Sequence, residues 1–351
     1  EMCIRDRGIT GGEYLSLRIG VKGYDEDFEI KPDKHLLMLN SVKDVTTSSS
    51  KQEATLEFLS VESIINETAR VNQRFTGNVT ETVKKLLKGK KGIETKKNLD
   101  SDRASNAYSF VGNLKRPFDT IQWLCSKTQS SKDGYGFLFF ETLDGYVFKS
   151  IENLLDGKTV EYKKSETPDE SSGLTILENN LNQTSDIGMS CRMGMYANKT
   201  IYINLDNANQ KTVDFRIESL KLKNPPKLPN GLEKNPTRLM LRVLDKCALQ
   251  KGSNKKEIQK ENELAIYQSK SYARANLIFS QSMSVSIPFN PELRAGQMLD
   301  LRFPLRKSEG DDQDKTTYGT ESDDDVSGKY LISELKPVSY THLTLPTKRI
   351  V

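Results

Sequence analysis

Residues 137–150 constrain the fold more than any other stretch of the chain. Phe137-Leu138-Phe139-Phe140-Glu141 is an apolar run of strand length, Asp144-Gly145 is a tight-turn pair, and Tyr146-Val147-Phe148 is a return strand. Two such runs around a Gly-containing turn predict a β-hairpin.

The remainder is mostly strand-like, with a few short helices. Leu15-Ser16-Leu17-Arg18-Ile19 alternates apolar and polar residues. His35 to Leu39 and Ala54 to Leu59 flank the polar stretch Thr46 to Gln52, a pattern expected of two antiparallel strands joined by a loop. A helix follows, with Val61, Ile64, Ile65 and Thr68 on one side. A second starts at Asn78, a cap residue with Glu81 three positions on, and carries Val79, Val83, Leu86 and Leu87 on one face. Lys88 to Asp100 is basic and lacks interleaved aromatics, so it is read as a solvated linker, not a nucleic-acid patch. Pro117 opens a helix with Phe118, Ile121, Leu124 and Cys125 on one face and Trp123 on its flank. From Gly188 strands resume, over Gly194–Tyr196, Thr200–Leu205 and Val213–Ile217. The prolines 225, 226, 229 and 236 interrupt them. Leu239 to Leu249 reads as a short helix or strand and Lys251 to Glu263 as a charged excursion. Ser280–Ile287, Met298–Phe303 and Lys329–Leu335 are expected as strands of one sheet. No repeat of 20–50 residues is present, which excludes a solenoid.

The two ends read differently. Met2-Cys3-Ile4-Arg5-Asp6 and Val338 to Thr347 match the translation of a transposase mosaic end, forward at one end and reversed at the other. Residues 1–7 and 337–351 are therefore expected to be adaptor on a metagenomic fragment whose natural chain continues beyond both ends. Those segments hold a net charge of +2, so the formal +4 falls to +2. So balanced a chain is not a nucleic-acid footprint by bulk charge. No run of about 18 apolar residues occurs, so no membrane insertion is expected. About 330 natural residues suffice for two or more domains with real cores.

Few residues suggest chemistry. His35 is the one histidine outside the ends, and it has no Ser, Cys or carboxylate at motif spacing. Glu141 and Asp144 flank the hairpin tip and could form a glycosidase-like pair only if held about 5–9 Å apart in a cleft. The turn explains the Asp and the strand end explains the Glu. Asp311, Asp312, Asp314, Asp323, Asp324 and Asp325 form acidic clusters in one loop, 309–325. Counting from Asp312, Thr317 and Asp323 stand where a calcium loop needs Gly and Glu, so the loop is read as solvated. Gly89-Lys90-Lys91-Gly92 lacks phosphate-loop spacing. Cys125, Cys191 and Cys247 have no paired spacing and are read as buried small residues, not a disulfide or zinc set. The Asn-x-Thr matches at Asn66, Asn78, Asn182 and Asn198 are read as chance. No catalytic, cofactor-binding or metal-ligating residue is expected, and no cofactor.

Three stretches together carry a resemblance. Phe137 to Ser150 resembles the FFET-x-DGF-x-F-x-S segment of the central baseplate hub subunit of T-even-like contractile-tailed phages. Arg116 to Leu124 is similar to the helix just before it. Ala295-Gly296-Gln297 through Pro304, with Ser327 to Ile332, resembles the end of that family's second barrel. The resemblance implies a mainly β fold with an α+β insert: two antiparallel β-barrel tail-hub domains plus smaller inserted domains. The first barrel would cover 8–88, the α+β domain 89–187, the second barrel 188–220 and 268–336, and a small insert 221–267. It also implies a function. Three two-barrel chains would form a homotrimer matching a trimeric tail spike or lysozyme at one end and the hexameric tail tube, through tube-initiator and baseplate proteins, at the other. The expected location is the virion tail baseplate, assembled in the host cytoplasm, with genome DNA only as passing cargo. The alternatives are a tail-associated cell-wall hydrolase, which needs a carboxylate pair or a nucleophile in a cleft, and a nucleic-acid-binding β-barrel protein, supported only by the Lys88–Lys97 run.

Overall fold

In a computed structural model of the chain, the described residues are 11–20, 28–47, 52–130, 134–164, 174–183, 186–203, 210–220, 222, 226–228, 235–243, 255–304 and 326–338. Strand exceeds helix, 40% against 24%, so the chain is mainly β. The strands form small sheets of two or three, and none among the described residues closes into a barrel. Residues 1–20, 27–156 and 180–284 make one compact unit, and 21–26, 157–179 and 285–351 make another.

The first unit is built around the predicted hairpin. Phe137–Thr142 pairs antiparallel with Gly145–Ser150, and Asn98–Ser101 joins the second strand in parallel. Leu143 and Asp144 are the central turn residues, and Gly145 follows them at φ +133°. A Cβ at Gly145 would also stand 2.4 Å from the Asn98 carbonyl oxygen, so the turn and the parallel neighbour both demand glycine there. Helix Val79–Lys88 forms as its sequence predicts. The Asn78 side chain accepts the Thr80 N–H at 2.9 Å, and Val83, Leu86 and Leu87 are fully buried. Helix Pro117–Cys125 buries Ile121, Leu124 and Cys125 against the same core. Phe75, Tyr108, Phe110, Phe137, Tyr146 and Phe148 complete that core, each contributing on the order of 1.5–3 kcal/mol by burial.

Strands Leu37–Thr47 and Gln52–Ser60 pair antiparallel, as expected, and extend into the polar stretch assigned to their loop. Further along the unit, Ala197–Ile203 pairs antiparallel with Gln210–Arg216 and parallel with Arg238–Val243. Helix Lys255–Ile278 docks near this sheet through polar contacts. The Tyr202 hydroxyl donates to Gln268 Oε1 at 3.0 Å, and Ser269 and Ala273 are buried. In the second unit, Thr159–Lys163 runs parallel to Met298–Arg302, which pairs antiparallel with Gly328–Leu331. Tyr162 is fully buried in this unit, and its hydroxyl accepts from Asn290 Nδ2 at 3.2 Å.

Several local expectations change. The stretch read as a solvated linker packs instead: Ile93 and Thr95 are buried, and their N–H groups bond back to Leu86 and Leu87 at 3.0 and 2.9 Å, closing the end of the preceding helix. Gly194–Tyr196 is not a strand. Helix Ile187–Arg192 precedes it, capped by the Asp186 side chain on the Met189 N–H at 2.8 Å. From Lys255 on, the charged excursion and the residues after it form the 24-residue helix 255–278, rich in the strong helix formers Lys, Glu, Gln and Ala. Ser282–Ser286 lies in a separate sheet from Met298–Arg302 and Gly328–Leu331. The acidic loop residues Asp311, Asp312, Asp314, Asp323, Asp324 and Asp325 lie outside the described residues, as do Cys247 and all of both ends except Pro337 and the exposed Val338.

Candidate functional site

Helix Val61–Thr68 turns the expected packing inside out. Ile65 is exposed, and the residues it buries are Glu62 and Asn66. The positions Val61, Ile64, Ile65 and Thr68 point to the other face, but tertiary partners for the polar face decide the orientation. Glu62 is only 2% exposed, so its charge must be compensated. Its Oε1 accepts from Thr95 Oγ1 and its Oε2 from Lys97 Nζ, both at 2.8 Å.

Lys97 then reaches a second carboxylate, Glu141 Oε1, at 2.6 Å. Glu141 Oε2 accepts from Ser60 Oγ at 2.8 Å and from the Tyr146 hydroxyl at 3.3 Å. Burial, with the charge of Glu141 behind it, raises the Tyr146 pKa far above the ordinary phenol value, so this hydroxyl remains a donor. Ser60 has a double role. It caps helix Val61–Thr68 by accepting the Ser63 N–H at 3.3 Å, and it ties that cap to the hairpin. One buried lysine thus joins the strand end, the helix, the segment at 95–97 and the hairpin.

Beside this network lies a cavity of about 500 Å³, walled by Phe58, Phe118, Phe139, Phe140 and Tyr146. His35 also lines it. The four-residue helix Pro32–His35 ends at Leu36 in the left-handed region, φ +50°. That turn folds the imidazole back so that Nδ1 accepts the Lys31 N–H at 2.8 Å. The proton of neutral His35 is therefore on Nε2. Burial, and secondarily the charge of Lys34, lowers its pKa from 6.5.

The other residues singled out in the sequence are placed apart. Asp144 is exposed at the turn, and the carboxylate that shares a partner with Glu141 is Glu62, with Lys97 between them. Cys125 is buried, and burial pushes its thiol up to about 12, far from a nucleophile at neutral pH. Cys191 is partly buried and carries no disulfide. Gly89 and Gly92 shape the end of helix Val79–Lys88, where added Cβ atoms would meet the Lys85 and Leu86 carbonyl oxygens at 2.4 and 2.0 Å. Asn66 and Asn198 are buried, at 6% and 0% exposure, in keeping with chance glycosylation matches. Among the described residues no group of three or more His, Cys, Asp or Glu is placed to hold a metal ion. Sequence reasoning missed Ser60, Glu62 and Thr95 and counted Lys97 among solvated lysines. Its one available signal was the polar pair Glu62 and Asn66 at helical spacing.

No protein-family model matches the chain, and no curated protein does. Among solved structures, the chain is similar to the crystal structure of the tail protein from Neisseria meningitidis MC58, at 11% identity and a TM-score of 0.40, covering 82% of this chain and 73% of that one. That score lies below the level of a shared fold.

Proposed function

We propose that the chain is a structural subunit of a phage tail, the central baseplate hub subunit, with no catalysis of its own. Three copies would form a homotrimeric ring, a symmetry adapter between a trimeric spike or lysozyme and the hexameric tail tube, with tube-initiator and baseplate proteins as further partners. Its place is the virion tail baseplate. Its two hub barrels belong at 8–88 and at 188–220 with 268–336. The reading rests on the three resembling stretches.

One observation carries it. The first two of those stretches pack on each other: the Phe118 ring lies 5.6 Å from Phe139 and 5.8 Å from Tyr146, and Phe139 stacks on Tyr146 at 5.6 Å. Glu141, the carboxylate a hydrolase would need, accepts hydrogen bonds from Ser60, Lys97 and Tyr146. Residues of the first two resembling stretches thus help to hold the fold, which supports a function lying in surfaces and symmetric association. An obligate ring of this kind would bury on the order of 2,000 Å² or more per interface.

The test separates a hub from a tail-associated hydrolase. The complete gene product is co-expressed with the spike encoded beside it, and the purified material is also incubated with bacterial cell walls. The expected outcome is a co-purifying complex of equal stoichiometry and no release of wall fragments attributable to this chain. Wall hydrolysis that disappears in a folded Glu141→Gln variant contradicts the proposal.

A further inference from the structure

The ion network at Lys97, which lines the cavity together with Glu141, has an unbalanced charge. Glu62 and Glu141 face the single Lys97 Nζ at 2.8 and 2.6 Å, so the network holds one more negative charge than positive. His35 does not correct this. Its Nδ1 is an acceptor for the Lys31 N–H, and burial first, then the charge of Lys34, favours its neutral form. Glu62 is sealed inside, whereas Glu141 lines the cavity with its side chain 28% exposed. The surplus charge is thus presented at the wall of the cavity.

The rest of the wall is aromatic. Phe139 and Tyr146 are stacked at 5.6 Å with 8° between their planes, and Phe118 leans against both. Ring faces attract cations, and they do so most where water is partly excluded. Glu141 Oε1 accepts from Lys97 and retains a second lone pair. The side chains of Gln122 and Ser63 line the cavity as well, each with an oxygen able to accept an N–H. The volume, about 500 Å³, falls within the range of small-ligand sites and exceeds what one water-filled crevice needs.

We propose that this cavity binds an organic monocation on a short apolar stem, an alkylammonium or alkylguanidinium, with its charge against Glu141 and its stem along Phe118, Phe139 and Tyr146. The same chemistry is offered by a free amine and by a lysine or arginine side chain of another protein. The inference stands apart from the tail-hub proposal, and failure of either leaves the other intact.

The test is ligand-observed saturation-transfer NMR on the whole chain, with n-butylammonium, n-butylguanidinium and n-butyrate as probes. The two cations are expected to receive saturation and the anion of similar size is not. Gln122→Lys is the decisive variant. Position 122 is exposed on its helix, so the fold tolerates the change, and the new ammonium competes at the cavity. It is expected to weaken cation binding about tenfold, as is Glu141→Gln, which removes the surplus charge. A capped Gly-Arg-Gly peptide distinguishes the sources: equal binding of peptide and n-butylguanidinium assigns the site to a protein side chain, and binding of the free cation alone assigns it to a small ligand. Butyrate binding as well as the cations, or a Gln122→Lys protein with undiminished cation signal, overturns the proposal.

Discussion

The side-chain oxygen of Asn66 accepts the backbone N–H of Phe118 at 2.8 Å, so a residue 52 positions upstream caps helix Pro117–Cys125. That helix has no side-chain cap of its own, because Arg116 stands at its N-cap. Asn66→Ala is expected to cost about 1–2 kcal/mol. Asn66→Asp, which keeps an acceptor near the helix N-terminus, should lose less. Urea unfolding followed by the fluorescence of Trp123 checks both, since that residue lies in the same helix.

Lys97 compensates two carboxylates from within the fold. Lys97→Met is expected to destabilise the chain by roughly 3–5 kcal/mol, because it leaves those carboxylates without an opposite charge. The triple variant Glu62→Gln, Lys97→Met, Glu141→Gln should recover much of that loss. Denaturation midpoints of the three proteins test the coupling, and additive behaviour would contradict it.

The hairpin and the two helices beginning at Asn78 and Pro117 were legible because their signals are local. A Gly-containing turn, a cap residue and apolar spacing all act within a few positions. The site was not legible, for the opposite reason. Glu62 meets Thr95 and Lys97 across 33 and 35 residues, and Lys97 meets Glu141 across 44. Such pairings reverse the face that helix Val61–Thr68 presents inward, which its apolar pattern alone assigns wrongly. The same holds for helix Lys255–Ile278. Its charged composition suggested an excursion, whereas its docking depends on Gln268 meeting Tyr202 from 66 residues away.

His35 should leave a signature in the pH dependence of stability. Burial lowers its folded pKa below 6.5, so near pH 6 the unfolded chain binds more protons than the folded one. Its contribution is present in full above about pH 6.5 and is lost as the pH falls toward the lower folded pKa. His35→Gln is expected to flatten the stability profile below about pH 6.5 relative to the parent chain. Thermal melts across that window measure it, and parallel profiles for the two proteins would show that His35 does not contribute.

The central claim is that the chain works by associating with itself. The most direct measurement is the mass of the complete gene product in solution, by light scattering at micromolar concentration, with negative-stain images of the same sample. A mass three times that of one complete polypeptide, in ring-shaped particles, is the predicted result. A stable monomer or dimer, with no ring even when the spike protein is supplied, would contradict the account.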